Sequence, residues 1–180
     1  MTRKFLFCFP LRLGNVIFGY IVLIVCIAVV AFNLYQLGLN LVSQRNDERS
    51  EDEKFHNWEH LESIFGEKAS TLVPIIIFIY HISYIIIGLL LFIFAAVFTC
   101  GAYKANSCFV STFFVYCFFH LFFTIGLIVW EATTAGWIQL GLIVASDLLL
   151  IICLFSVKYL IEAIRTGNIY SRPGEVYYKY

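Results

Sequence analysis

Four long apolar runs limit this chain more than any other feature. They are Asn15 to Leu37, Leu72 to Cys100, Cys108 to Trp130 and Trp137 to Tyr159. A helical membrane span takes about 20 mostly apolar residues, and each run is long enough. Barrel strands are shorter and alternate apolar with polar positions, which these runs do not. In lipid every backbone N–H and C=O must find its partner within the chain, so the runs are expected to be helices. Composition agrees. Charged residues make up 13% and hydrophobic residues 61%, whereas a soluble domain carries about 25% charged residues. The expected fold is all-α: one integral membrane domain over residues 1–180, a four-helix transmembrane bundle with a short lumenal or extracellular amphipathic helix.

The first run is expected to be a retained anchor. Arg3, Lys4 and Arg12 precede it as a signal peptide's basic residues would, but the run is too long for a signal h-region and no small-x-small cleavage site follows it. Charge then orients the chain. Arg3, Lys4, Arg12, Lys104, Lys158, Arg165, Arg172 and Lys179 all fall on one side of the four spans; Arg45, Arg49, Lys54 and Lys68 fall on the other, mixed with eight acids. Basic residues favour the cytosol. Both termini and the tail of residues 160–180 are therefore expected there, and the loop 38–71 in a lumen or outside. The zero net charge of the whole chain hides a basic cytosolic face and an acidic loop. A basic face beside anionic lipid is ordinary, so no nucleic-acid partner is expected.

The loop holds "FHNWEH", in which His56, Glu59 and His60 spell H-x-x-E-H, an inverted zinc-protease pattern. A catalytic zinc needs a third protein ligand and a rigid surrounding shell. The loop offers only carboxylates on a short segment, so neither metal nor other cofactor nor enzyme activity is expected. Its surroundings read instead as a helix from about Glu51 to Phe65. Ser50 and Glu53 form a capping box, Gly66 is a C-terminal stop, and Phe55, Trp58, Leu61, Ile64 and Phe65 make an apolar stripe suited to a bilayer surface. Phe55, His56, Trp58 and His60 are the loop's candidate contact residues, the histidines also as pH-responsive groups.

Inside the spans, Asp147 lies near the middle of the fourth run, His81 in the second and His120 in the third. An ionisable residue at such depth is costly and faces the bundle interior. Asp147 with His81 or His120 is read either as a buried pair that locks packing or as a proton-relay element. Small residues in "WIQLGLIVAS" allow close helix contact. The links "GAYKANS" and "EATTAG" are short enough to make their flanking spans antiparallel neighbours. Cys8, Cys100 and Cys108 sit at cytosolic ends of spans, positions suited to palmitoylation; the six cysteines otherwise read as small apolar packing residues. The ending Tyr178-Lys179-Tyr180 has the form of a strand-addition ligand. No internal repeat, P-loop, G-x-S-x-G or dinucleotide fingerprint occurs.

The N-terminal "CFPLRLGNVIFGY", with Cys8, Leu11, Arg12, Gly14, Ile17 and Gly19, resembles the start of the lysosome-associated four-transmembrane (LAPTM) proteins and their insect relatives, the pasiflora-like and fire-exit-like small tetraspans. The layout is similar too, down to the closing "YLIEAIRTGN". The chain departs from the family in having Cys8 alone in place of a cysteine cluster and Leu13 between Arg12 and Gly14. It also lacks a Pro-Pro-x-Tyr in the tail, so ubiquitin-ligase docking is not carried over. The resemblance implies a non-enzymatic role, either in septate-junction and epithelial or glial barrier assembly or in endolysosomal trafficking and transport. The implied membrane is accordingly the lateral plasma membrane or that of endosomes and lysosomes. A small proton-coupled carrier built on Asp147 is the third reading. The expected partners are the bilayer and other membrane proteins, met through span faces and the loop, with homo- or hetero-oligomers allowed.

Overall fold

The structure, a computed structural model, describes residues 4–5, 9–46, 69–134 and 136–167. Four helices account for nearly all of them: α1 Leu11–Asn46, α2 Ala69–Lys104, α3 Ser107–Thr133 and α4 Trp137–Thr166. All four are long and apolar enough to cross a membrane, as the runs require. A short antiparallel ladder precedes them, β1 Lys4–Phe5 with β2 Phe9–Pro10, in the register Lys4 to Pro10 and Phe5 to Phe9. It is a small exception to the all-α expectation. The expected helix over Glu51 to Phe65, with Phe55, His56, Trp58 and His60, lies outside the described residues, as do Cys8 and the tail beyond Gly167.

Every helix overruns the expected boundaries. α1 continues past Leu37 to Asn46, because Gly38 alone does not stop a helix that Leu39, Leu41 and Val42 keep apolar. At 36 residues α1 and α2 are each about 54 Å long, well beyond a hydrocarbon core of about 30 Å. The α2–α3 link is not the whole of "GAYKANS" but Ala105 and Asn106 alone. Asn106 N donates to Gly101 O at 2.8 Å across Ala105, whose φ of 53° is left-handed. Asn106 Oδ1 then accepts from Cys108 N at 3.0 Å, capping the start of α3. The α3–α4 link is shorter than "EATTAG" in the same way. Glu131, Ala132 and Thr133 are helical, and Gly136 N donates back to Glu131 O at 3.0 Å.

Two compact units divide the chain, residues 1–24, 92–119 and 148–180 in one and 25–91 with 120–147 in the other. In the first, α1 meets α2 where Phe18 lies edge-on to Phe98 at 6.1 Å. A Cβ on Gly19 would come within 3.3 Å of both Phe98 and Thr99 side chains, so this crossing admits no side chain. α2 meets α3 through Phe98 stacked on Phe113 at 4.5 Å and Phe94 on Tyr116 at 4.1 Å. A Cβ on Gly101 would stand 3.1 Å from the Val110 backbone N. α1 meets α4 where Asn15 Nδ2 donates to Ser156 Oγ at 3.3 Å. Arg12 closes the end of α2: its Nε donates to Ala102 O at 3.2 Å, its Nη2 to Tyr103 O, and its guanidinium lies 5.9 Å from the Tyr103 ring. A cation on the last carbonyls of a helix answers their partial negative charge. The resemblance motif thus has physical content here. Arg12 caps α2, Gly14 is buried, and Gly19 is the contact point.

The small residues of α4 act otherwise than expected. A Cβ on Gly141 would meet nothing within 4 Å, and Ala145 and Ser146 are exposed. They lie on an outer surface, and the close helix approaches occur at Gly19, Gly88 and Gly101 instead.

Two substitutions check this packing. Gly19→Val drives a branched side chain into Thr99 and Phe98, and is expected to cost about 3 kcal/mol, read as a lower unfolding midpoint in detergent. Ala105→Gly relieves the left-handed residue in the turn and is expected to stabilise the protein by about 1 kcal/mol in the same assay.

Candidate functional site

The described residues of 25–91 and 120–147 hold more buried and half-buried polar and titratable chemistry than a span needs. α1 contributes Asn33, Gln36 and Asn40, α2 contributes Tyr80, His81 and Tyr84, α3 contributes His120, Thr124 and Glu131, and α4 contributes Asp147. Helical spacing explains who meets whom. Asn33 and Asn40 are two turns apart and share a face, as do Tyr80 and Tyr84 at one turn.

Glu131 is the centre of one group. It is fully buried at 0% exposure. Its Oε1 accepts from Tyr80 OH at 2.8 Å and from Tyr84 OH at 2.6 Å. The two phenol rings pack edge to face at 4.9 Å, and Tyr80 also lies 6.5 Å from the Trp130 ring. Short O–H···O contacts to a carboxyl are the strong kind, and they answer the cost of burying it. Trp130 Nε1 beside them is buried without a hydrogen-bond partner, as is Gln139 Oε1 on α4.

His81 is the centre of a second group. It is 3% exposed, and its ring stands edge-on to Tyr80 at 5.0 Å. Its Nδ1 is 3.2 Å from Asn33 Oδ1, and its Nε2 is 3.2 Å from Asn40 Nδ2. Asn33 in turn donates from Nδ2 to Val29 O at 2.9 Å. Asp147 is also buried, as is Thr124, whose Oγ1 donates to Leu121 O at 3.0 Å. The hydrogen bonds described for His81 thus run to α1 amides. His120 is buried on α3.

The remaining sequence candidates separate by exposure. Cys100 and Cys108 are exposed on either side of the α2–α3 turn, whereas Cys26, Cys117 and Cys153 are buried. Among the described residues no group of three or more His, Cys, Asp and Glu is placed to hold a metal.

Glu131 is the member that sequence reasoning misplaces. In "EATTAG" it was assigned to the link between spans, yet it lies in the last turn of α3 with two phenols on it. Its signal is the pair Tyr80 and Tyr84 at helical spacing within an apolar run. Asn33 and Asn40 carry a similar signal, two amides spaced by two turns within an apolar run. Comparison of the chain with protein-family models, with characterised proteins and with solved structures yields no match.

Because both phenols share one oxygen of Glu131, their contributions are coupled. Tyr80→Phe and Tyr84→Phe are each expected to cost about 1 kcal/mol in thermal stability, and the double variant more than the two single costs together, since the carboxyl then loses both donors. Strict additivity in such a cycle would contradict the shared acceptor.

Proposed function

We propose that this chain is a non-enzymatic, multi-pass membrane protein with a structural, assembly role at lateral cell junctions, in septate-junction or epithelial and glial barrier formation. One observation carries the structural part of that reading. The buried polar side chains are used to tie helices together, in Asn15 with Ser156, His81 with Asn33 and Asn40, and Glu131 with Tyr80 and Tyr84. The outward surface meanwhile carries large apolar side chains, among them Phe122 at 78% exposure. Polar ties between helices hold a bundle in one register, and apolar outer faces are what lipid and neighbouring spans pack upon. Helices tied in this way and apolar on their outer faces suit lateral assembly. The junctional setting rests on the resemblance to the insect small tetraspans.

A second reading has its own observation. Glu131, His81, His120 and Asp147 are all buried in the same unit, and intramembrane ionisable groups mark proton and ion pathways in other proteins. That arrangement favours an endosomal or lysosomal trafficking or transport regulator, or a small proton-coupled carrier using Asp147. The two readings part on location. The tagged full chain in a polarised epithelium is expected at lateral borders, with a leaky barrier when it is depleted; residence in acidic vesicles with an intact barrier would favour the second reading. Asp147→Asn in reconstituted vesicles is expected to leave proton-driven solute flux at the background level of the unaltered chain, and a flux that this variant abolishes would establish the carrier.

A further inference from the structure

The four helices expose apolar side chains over unequal lengths. On α1 these run from Leu13 to Val42, and on α2 from Ile75 to Tyr103. At about 1.5 Å per residue the two stretches cover about 44 and about 42 Å. On α3 they run from Phe109 to Val129, and on α4 from Trp137 to Tyr159, about 30 and about 33 Å. Charge sets similar limits on the long pair. No Asp, Glu, Lys or Arg lies between Arg12 and Arg45, or between Lys68 and Lys104. A hydrocarbon core is about 30 Å thick. α3 and α4 match it, whereas α1 and α2 exceed it by about 12 Å or more.

Within residues 25–91 and 120–147 the excess lies at one end. α2 is level with the close of α3 where Tyr80 and Tyr84 meet Glu131. From Glu131 α3 continues only to Thr133, whereas from Tyr80 α2 reaches back to Ala69, about 13 Å further. α1 accompanies it. Val30 lies against Gly88, Asn33 and Asn40 meet His81, and α1 then runs on to Asn46. Leu41, Val42 and Ile75 on this extension are exposed, as are Leu34, Tyr35, Phe78 and Ile79 just inside it. The apolar surface that lipid covers along the spans therefore continues onto the extension with no charged residue between. Tilt does not absorb the excess. A stretch of about 43 Å fits a core of about 30 Å only at a tilt of about 45°, beyond the range of up to about 40° that spans adopt.

We propose that the α1–α2 extension is a lipid-binding surface that selects hydrocarbon length, so that the protein prefers a bilayer of long-chain lipid to one of ordinary thickness. Apolar surface held in water costs free energy in proportion to its area, and a thicker core around α1 and α2 removes that cost. Mismatch of this kind sorts proteins among membranes of different thickness. The preference rests on span length and not on the junctional reading.

The test uses the full chain in vesicles of phosphatidylcholines whose two monounsaturated chains run from about 14 to about 24 carbons. The thermal midpoint is expected to be highest at about 20 carbons or more, and there about 4 °C above its value at about 16 carbons. A maximum at about 18 carbons or fewer overturns the proposal. Leu41→Gln, Val42→Gln and Ile75→Gln, made together, keep good helix formers at exposed positions while shortening the apolar stretch of both helices. That triple variant is expected to move the maximum to about 18 carbons, and an unmoved maximum overturns the proposal. A midpoint indifferent to chain length overturns it as well; where such a midpoint rises with protein copies per vesicle, a second copy covers the extension. If the triple variant does not fold, the wild-type series still decides.

Discussion

Within a bilayer no water takes up an unpaired backbone group, and each such group left open costs several kcal/mol. Everything in this chain follows from that penalty. It makes the four apolar runs helices and carries those helices to the last residue that can still be capped. It also forces the few polar side chains inside to find one another. The helix ends show the rule at its most local. Asn106 caps the start of α3, Arg12 covers the final carbonyls of α2, and Gly136 closes α3 through Glu131 O. The end of α2 is completed by a residue of another helix, which makes secondary and tertiary structure inseparable there.

The same penalty orders the interior. Apolar side chains give little reason for one helix to prefer another in lipid, because the alternative surroundings are equally apolar. Register is set by close approach and by hydrogen bonds. Gly19 against Thr99 and Gly101 against Val110 supply the first, and Asn15 with Ser156 and Tyr84 with Glu131 supply the second. A polar side chain here is a fastener with few alternatives.

How much of this was legible beforehand differs by length scale. The helices were, because hydropathy sums over many residues and lipid rewards the sum. Their ends were not, because ends are decided by single caps. The first run was expected to end at Leu37 and its helix continues to Asn46; the link was expected to be the whole of "GAYKANS" and is Ala105 and Asn106. Glu131 was assigned to a link, and its phenol partners lie 51 and 47 positions away in sequence. His81, His120 and Asp147 are buried, but their partners were not readable, because which faces meet is a property of pairs of helices. The same limit explains Gly141. Small size permits contact on whichever face it lies, and only the fold shows that Gly19 and Gly101 meet a neighbour while Gly141 does not.

The turn at Ala105 and Asn106 has a further consequence, for how the protein is made. Two residues cannot span any distance, so α2 and α3 leave the ribosome as parts of one hairpin whose bend is already specified by its own sequence. The pair is suited to entering the bilayer as a single object, with Phe98 and Phe113 in register from the outset. α1 is joined to α2 through the long acidic segment and has no such obligation. Short links thus make α2, α3 and α4 neighbours by sequence alone, whereas α1, which carries Arg12, Asn33 and Asn40, is joined through a longer segment.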